Sequence, residues 1–176
     1  MVVWIVGMHA AGKSLLAHKI KDLLHNKGFQ PILIDGGKLR SLLGDEVGYS
    51  LENRKKHSMT ISRVCKFLAD QNFIVICAIL SVCEKSRKWN RDNIPNYFEI
   101  FIDVPIEILK VRDERNLYKL ALAGDLDDFV GVDICFEPPQ TYDLKINNSA
   151  DLAYLDQQVD CVMDKLSDLL PFQIRS

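Results

Sequence analysis

The segment "GMHAAGKS" (Gly7–Ser14) decides the fold of this chain, because it fits the spacing G-x-x-x-x-G-K-[ST] at every position. The apolar run "MVVWIV" precedes it and a helical pattern follows it, which predicts a buried strand leading in and a helix leading out. In that context successive backbone N–H groups and the helix N-terminus attract phosphate oxygens. The two glycines allow a tight turn and a close approach of the phosphates. The segment therefore predicts a loop that binds a nucleoside triphosphate.

Each position of this phosphate loop is expected to contact the nucleotide. The candidate nucleotide-binding residues are Gly7, Met8, His9, Ala10, Ala11, Gly12, Lys13 and Ser14. Lys13 is also a catalytic candidate that would contact the β- and γ-phosphates, and the Ser14 hydroxyl would ligate Mg²⁺. A catalytic role for the His9 side chain is not favoured, because such a loop acts mainly through its backbone. The loop therefore predicts ATP and Mg²⁺ as cofactors.

The rest of the chain alternates apolar runs with helical patterns. Strands are predicted at residues 1–7, 31–35, 73–81, 97–104 and 142–148, and helices at residues 13–26, 37–44, 51–72, 84–93, 105–113, 117–124 and 150–170. The alternation predicts a three-layer α/β fold, with a five-stranded, mostly parallel sheet and helices on both faces. The run "FIVICAILS" is expected to be the central strand, and residues 84–93 a surface helix. We predict a single domain over residues 1–176, in which residues 125–140 form a mobile loop.

The composition disfavours several classes of function. The 176 residues carry a net charge of −2 at pH 7, so no global field would attract nucleic acid or an anionic membrane. No apolar run reaches the length of about 18 residues that spans a bilayer, and the N-terminus lacks the pattern of a secretory signal. The five cysteines form no C-x-x-C pair, which favours reduced thiols in a cytoplasmic protein over disulfides or a zinc site.

The second predicted strand ends in Asp35, at the carboxyl edge of the sheet, where open α/β folds bind their ligands. A carboxylate there would accept a proton from an acceptor hydroxyl or hold a magnesium-bound water, which makes Asp35 a catalytic candidate. The alternative is a role as the N-cap of the following helix, and the two roles are compatible. The chain has no N-K-x-D guanine motif, and "FIVICAIL" ends without the acidic residue that often holds Mg²⁺ in motors. These observations favour a small-molecule kinase over a GTPase or an ATPase motor.

Together with the phosphate loop, five later motifs resemble those of the adenylyl-sulfate kinase (APS kinase) family over residues 2–148. They are "IDGGKLRSLLG", "GYSLENRKK", "AILS", "RDERNLYKLALAG" and "FVGVDICFEPP". The resemblance implies a P-loop kinase that transfers the γ-phosphoryl group of ATP to the 3′-hydroxyl of a nucleotide acceptor. It also implies magnesium, a lid near residues 124–139, and a homodimer.

The resemblance further implies roles for individual residues. The acceptor would be bound by Arg40, Tyr49, Arg54, His57, Ser81, Lys119 and Phe129, with Ser81 also catalytic and Arg112 near the adenine of ATP. Arg40 and Arg54 correspond to acceptor-binding arginines, and the two aromatic residues to those that enclose the acceptor base. Six of these residues have a structural alternative. Arg40, Arg54 and Lys119 could be solvated surface charges, Tyr49 and Phe129 could be core residues, and Ser81 could be a turn residue at the end of the strand.

Several positions on the acceptor side depart from the family pattern. Gly37 replaces the second acid of the Asp-Gly-Asp motif, and Lys38 replaces the following Asn. Asn53 and His57 replace the acid and the amide of the Asp-Arg-x-x-Asn motif. A site built to hydrogen-bond one group can reject an analogue that lacks it by roughly 10⁴-fold. With the ATP side intact, these exchanges predict an active enzyme whose acceptor preference has changed.

The identity of the acceptor is indicated by the family resemblance alone, and not by spacing or composition. The chain is similar to the cytidine diphosphoramidate kinases of bacterial capsule-modification pathways, which implies cytidine diphosphoramidate as the first expectation. The alternative is adenylyl sulfate, converted to 3′-phosphoadenylyl sulfate. A further alternative is a nucleotide-binding regulator without catalysis. Both kinase interpretations imply a small-molecule nucleotide partner and neither nucleic acid nor a membrane.

Overall fold

A computed structural model of the chain describes residues 1–44, 48–149 and 152–170, without the side chains of residues 152–156. Five strands form one sheet: β1 (Val2–Val6), β2 (Ile32–Asp35), β3 (Val75–Ile79), β4 (Tyr97–Asp103) and β5 (Leu144–Asn147). Their order is β2-β3-β1-β4-β5, and every neighbouring pair is parallel. The predicted five-stranded parallel sheet is confirmed. The central strand, however, is β1 and not β3 as predicted. Apolar character could not distinguish the two strands, because helices cover both faces of the sheet and both strands are fully buried.

The helices connect the strands and follow the last one. Among the described residues they are α1 (Lys13–Asn26), α2 (Gly36–Leu42), α3 (Leu51–Asp70), α4 (Glu84–Asn93), α5 (Ile106–Arg112), α6 (Leu117–Ala123) and α7 (Leu152–Ser167). Parallel strands need crossover connections, and helices supply them here. Residues 124–139 form no helix and no extended strand, only a bridge between Val130 and Ile134.

An apolar layer lies on each face of the sheet, because alternate residues of a strand point to opposite sides. Val3 and Ile5 of β1 belong to the cluster that also contains the buried residues of α1 and α7. Trp4 belongs to a second cluster with Ile61 and Cys65 of α3. The order of layers is helix, sheet, helix, which confirms the predicted three-layer α/β fold.

Helix α4 differs from the predicted surface helix. Its residues Ser86, Arg87 and Asn90 are buried, although all of them are polar. The Nε of Arg87 lies 3.4 Å from Oε1 of the buried Glu99 on β4, and its Nη1 donates to the carbonyl oxygen of Ser81 at 3.1 Å. A charged side chain is tolerated in the interior when it is paired and hydrogen-bonded. The buried face of α4 is therefore polar, which an apolar periodicity could not reveal.

The composition-based expectations concern thiols, metals and membranes. The five cysteines, Cys65, Cys77, Cys83, Cys135 and Cys161, are free thiols. Across the described ranges, none of the helices has both the length and the apolar character that a membrane span requires. Within the same ranges, no group of three or more His, Cys, Asp or Glu is placed to hold a metal ion.

Candidate active site

Strand β1 delivers the phosphate loop to the carboxyl edge of the sheet. All of its residues are buried, and it pairs with β3 on one side and β4 on the other. At Gly7 the chain passes so close to β4 that a Cβ atom would lie 2.9 Å from the carbonyl oxygen of Ile102. Gly12, at the N-cap of α1, has a φ of 98°, a left-handed conformation that favours glycine. Backbone geometry therefore requires glycine at both ends of the loop.

Lys13 opens α1 and turns back over the loop. Its Nζ donates a hydrogen bond to the Met8 carbonyl oxygen at 2.6 Å. Burial lowers the pKa of Lys13 to about 8, against the opposing effect of the Asp35 carboxylate. A desolvated ammonium group attracts a phosphate oxygen more strongly than a hydrated one does. The loop therefore suits a triphosphate. In a complex with one, Lys13 would give up its hydrogen bond to the Met8 carbonyl oxygen and contact the phosphates instead.

Ser14 and Asp35 join the phosphate loop to β2. Ser14 Oγ donates to Oδ2 of Asp35 at 2.7 Å. Oδ1 of Asp35 accepts from the backbone N–H groups of Gly37 and Lys38 at 2.9 and 3.1 Å, so Asp35 is the N-cap of α2, as the structural alternative predicts. Burial favours a higher pKa for Asp35, but these three hydrogen bonds hold it below its ordinary value. An ionised carboxylate beside a serine hydroxyl offers the oxygen ligands that Mg²⁺ prefers.

Three of the predicted acceptor residues lie together between α2 and the start of α3. The guanidinium carbons of Arg40 and Arg54 lie 5.0 Å and 5.4 Å from the centroid of the Tyr49 ring. Arg40 donates to the Gly48 carbonyl oxygen. Arg54 Nη2 donates to the Asp128 carbonyl oxygen at 2.8 Å. Because Tyr49 is 58% exposed, the two cations and the ring form an accessible surface that suits an anion carrying an aromatic base.

His57 approaches the same arginines from α3. Its side chain is buried, and Nε2 lies 3.0 Å from the Gly36 carbonyl oxygen. A carbonyl oxygen only accepts, so Nε2 carries the hydrogen and Nδ1 is left as an acceptor. Nδ1 is buried without a hydrogen-bond partner among the described residues. The pKa of His57 is lowered, mainly by burial and also by the charges of Arg40 and Arg54. The hydrogen bond to Gly36 acts in the opposite direction but does not offset them. The neutral imidazole therefore has an unused lone pair near the two arginines.

Ser81, Lys119 and Arg112 are placed by three different elements. Ser81 follows β3 and is fully buried, and its Oγ makes no hydrogen bond within the part of the chain that the structure describes. Lys119 is exposed on α6. Arg112, the last residue of α5, donates from Nη1 to the Asn148 carbonyl oxygen at 2.7 Å. A ligand contact by Ser81 therefore requires a movement of the residues that cover it.

Phe129 lies in the 124–139 segment and is buried. Its ring packs edge-on against Tyr118 with the centroids 4.9 Å apart, and its centroid lies 6.0 Å from that of His9. The hydrogen bond of Arg54 to the Asp128 carbonyl reaches the same segment. The 124–139 segment therefore contacts both the phosphate loop and the arginine pair.

A comparison with known families connects these features. A family model described as adenylylsulphate kinase matches residues 1–147, a range that includes the phosphate loop, Asp35 and the two arginines on Tyr49. The chain belongs to the adenylylsulphate kinase family. The family resemblance found in the sequence is thereby confirmed. The protein is an ATP-dependent kinase of the adenylyl-sulfate kinase type, a nucleotide 3′-phosphotransferase.

Individual members of the family match nearly the whole chain. The adenylyl-sulfate kinase of Klebsiella pneumoniae is 30% identical over 172 residues, which cover 97% of this chain and 82% of that protein. The adenylyl-sulfate kinase of Marinobacter nauticus is 31% identical over 169 residues, which cover 95% and 84%. The structure of the Mycobacterium tuberculosis APS kinase in complex with AMPPNP and APS matches with a TM-score of 0.85 at 30% identity, covering 94% of this chain and 96% of that one.

Three residues that contact the phosphate loop were not among the predicted site residues. Asp113 lies 3.1 Å from Nε2 of His9, and the Tyr118 hydroxyl donates to the His9 carbonyl oxygen at 3.3 Å. Asn148 Nδ2 donates to the Ala11 carbonyl oxygen at 3.0 Å. Asn148 directly follows β5 at the carboxyl edge, a position that the predicted sheet could have indicated. Asp113 and Tyr118 lie inside the motif "RDERNLYKLALAG", but no sequence spacing pairs them with His9.

Proposed function

We propose that this kinase transfers the γ-phosphoryl group of ATP to the 3′-hydroxyl of adenylyl sulfate. The observation that supports the proposal is the pair of arginines, Arg40 and Arg54, on the Tyr49 ring. Arg40 lies in α2, the helix that Asp35 caps. This surface supports an acceptor with an anionic tail and an aromatic base. The names of the Klebsiella and Marinobacter relatives support adenylyl sulfate in particular. They reverse the order expected from the sequence, in which cytidine diphosphoramidate came first.

On the nucleotide side, we propose that the phosphate loop holds the triphosphate through its backbone N–H groups. Lys13 would leave the Met8 carbonyl for the β- and γ-phosphates and stabilise the charge on the transferring group. Ser14 and Asp35 would hold Mg²⁺, which when bound neutralises charge on the β- and γ-phosphates. Arg112 is proposed to lie beside the adenine.

Asp35 is proposed as the catalytic carboxylate beside the reacting oxygen. Its hydrogen bonds hold its pKa below the ordinary value, so it is ionised at neutral pH and is a weak base. Phosphoryl transfer passes through a loose transition state, in which positioning and charge stabilisation matter more than proton removal. We therefore assign Asp35 mainly to orienting the acceptor hydroxyl and a magnesium-bound water.

The 124–139 segment is proposed as a lid within one kinase domain over residues 1–176. Its contacts with Arg54 and with the His9 ring support this role, because they connect it to both ligand positions. Closure would exclude water and limit the wasteful hydrolysis of ATP. As the lid closes, the acceptor site is proposed to be completed by Phe129 and Lys119. Ser81 is proposed to contact the acceptor once the residues that cover it have moved.

A second acceptor, cytidine diphosphoramidate, is favoured by the chemistry of His57. The family pattern has an amide at this position, which can both donate and accept, whereas the neutral imidazole has only an acceptor left at Nδ1. Gly37 lacks the second acid of the family motif, and Lys38 adds a positive charge beside it. These exchanges support an acceptor whose base or tail differs from that of adenylyl sulfate.

An ADP-release assay with ATP and Mg²⁺ over a panel of acceptors tests the proposal. We expect turnover with adenylyl sulfate and none with its 3′-deoxy analogue. Turnover with cytidine diphosphoramidate and not with adenylyl sulfate would establish the second acceptor. Failure to turn over any acceptor, in protein that binds AMPPNP, would favour the non-catalytic regulator.

We also propose that the kinase is a cytoplasmic homodimer, as the family resemblance implies. The chain has a mass of 20.1 kDa. Light scattering during size-exclusion chromatography should therefore give twice this mass. A mass equal to that of one chain at working concentration would contradict the dimer.

A further inference from the structure

The side chain of His9 lies between the phosphate loop and the end of α5. Its Nε2 is 3.1 Å from Oδ1 of Asp113, the residue that follows the last turn of α5. The His9 side chain is 30% exposed and the Asp113 side chain 1%. One partner is therefore fixed in the interior, while the imidazole stays accessible to a ligand on the loop.

Asp113 and Tyr118 together hold both the ring and the backbone of His9. Oδ2 of Asp113 accepts the backbone N–H of Tyr118 at 2.7 Å. The Tyr118 hydroxyl in turn donates to the His9 carbonyl oxygen at 3.3 Å. The three residues thus form a closed set of contacts, which we call the His9 cluster. Direct contacts therefore link His9 to the start of α6, where Tyr118 is buried.

The 124–139 segment rests on two consecutive residues of the phosphate loop. The rings of His9 and Phe129 meet edge-on, with an interplanar angle of 73° and the centroids 6.0 Å apart. Met8 lies against Gly131, so closely that a Cβ atom on Gly131 would overlap the Met8 Cε. The phosphate loop and the segment that carries Phe129 are therefore in direct contact at two points.

We propose that His9 is a positioning residue that couples nucleotide binding at the phosphate loop to the position of Phe129 in the 124–139 segment. The coupling passes through the edge contact of the two rings and through the His9 cluster. Its importance to catalysis rests on the proposed lid, but it does not depend on which acceptor the kinase uses.

The charges around His9 predict that it gains a proton when a nucleotide binds. The pKa of His9 is lowered, mainly by burial and also by the charges of Lys13 and Arg115. The Asp113 carboxylate acts in the opposite direction. Tyr118 stays neutral, because burial and Asp113 raise its pKa to about 12. The phosphates of a bound nucleotide offset the two cations, which raises the pKa of His9. The imidazolium then forms a charge-assisted hydrogen bond to Asp113.

Calorimetric titration with AMPPNP and Mg²⁺ tests this proton uptake without an acceptor. Titrations in two buffers of different ionisation enthalpy give the number of protons taken up on binding. We choose about pH 6.5 because Lys13, with a pKa of about 8, is already protonated at that pH. We expect wild-type protein to take up more protons than His9→Gln, whose amide still donates to Asp113 but does not titrate. The matched control is His18→Gln, on the exposed face of α1, which should equal wild type.

The same linkage fixes the sign of the pH dependence. Because binding takes up a proton, the wild-type affinity for AMPPNP should rise as the pH falls. Relative to His9→Gln, we expect a gain of about threefold between about pH 7.5 and about pH 6. A merely structural role for His9 would lower the affinity of the variant equally at both pH values.

Hydrogen exchange of the 129–134 turn is the second readout. The N–H of Phe129 is bonded to the Asp133 carboxylate, and the N–H groups of Asp133 and Ile134 to the Phe129 carbonyl. We expect saturating AMPPNP to slow their exchange about fivefold in wild type and not in His9→Ala.

Two results would overturn the coupling: equal proton uptake in wild type and His9→Gln, or equal protection in wild type and His9→Ala. If His9→Ala does not fold, the comparison with His9→Gln decides alone. Wild-type protein that fails to bind AMPPNP would count against both the nucleotide site and the coupling. Failure of the coupling alone therefore differs from failure of the proposed kinase site.

Discussion

The nucleotide half and the acceptor half of the site meet at Asp35, but they are built in different ways. On the nucleotide half, a fully buried strand fixes the loop, and close packing and a left-handed φ require Gly7 and Gly12. On the proposed acceptor half, the candidate ligands are side chains near the end of α2 and the start of α3, and Tyr49 between the two arginines is exposed. One half depends on backbone shape and the other on exchangeable side chains.

This difference indicates which half of the site can change its ligand specificity. Backbone N–H groups bind phosphate whatever the side chains are, so the nucleotide half serves any triphosphate-dependent transfer. Side-chain ligands can be exchanged one at a time without refolding, and the departures at Gly37, Lys38 and His57 all lie on the acceptor half. Substitutions in the nucleotide half should therefore reduce turnover with every acceptor, whereas those in the acceptor half should change the KM of one.

The largest effect is expected from Lys13→Met. Loss of the ammonium removes a charge that is proposed to stabilise the transferring phosphoryl group, and we expect kcat to fall about 10³-fold, equivalent to about 4 kcal/mol. The measurement is ADP release with saturating ATP and two different acceptors. Lys88→Met, an exposed lysine on α4, is the control and should match wild type. A loss confined to one acceptor would break the division between the halves.

Asp35→Asn is expected to lower kcat about 10²-fold, because the neutral amide no longer stabilises the metal and the acceptor hydroxyl. Asn is also a good N-cap, so the melting temperature should change little. Steady-state kinetics and thermal unfolding check the two parts, with Asp22→Asn on the exposed face of α1 as the control. Near-full turnover with an unchanged melting temperature would leave Asp35 with a capping role only.

The nucleotide half could be predicted from the sequence because its requirements are local. The spacing of Gly7, Gly12, Lys13 and Ser14 is contiguous, and the strand and the helix that flank it have clear periodicities. Asp35 could be placed for a similar reason, since parallel strands end at a common edge. The structure has all three features: the strand, the loop and the capped helix.

Other features could not be predicted, because they depend on contacts between distant polar residues. His9 and Asp113 are 104 positions apart, and nothing in either motif indicates that they meet. A search for apolar periodicity could not detect the inner face of α4, because its buried residues Ser86, Arg87 and Asn90 are polar. The sequence also could not show that Ser81 Oγ is buried, since burial of a residue after a strand depends on tertiary packing.

Arg54→Ala should raise the KM for the acceptor by about 10- to 100-fold, which corresponds to about 1.5–3 kcal/mol for a charge-assisted hydrogen bond. The KM for ATP should change much less, because Arg54 lies on the acceptor half. Arg63→Ala, at an exposed position of the same helix, is the matched control. An equal rise in both KM values would show that Arg54 acts mainly by holding the 124–139 segment through Asp128.

The smallest effect is expected from substitutions of Tyr49, which test whether the acceptor half recognises an aromatic base. Tyr49→Leu removes a ring that lies under both guanidinium groups and is proposed to stack on the acceptor base, so the acceptor KM should rise about three- to tenfold. Tyr49→Phe keeps the ring and should stay within about twofold of wild type. If both variants lose affinity equally, the hydroxyl and not the ring binds the acceptor. The acceptor half would then recognise a polar group at this position, and stacking would not explain its preference for a nucleotide.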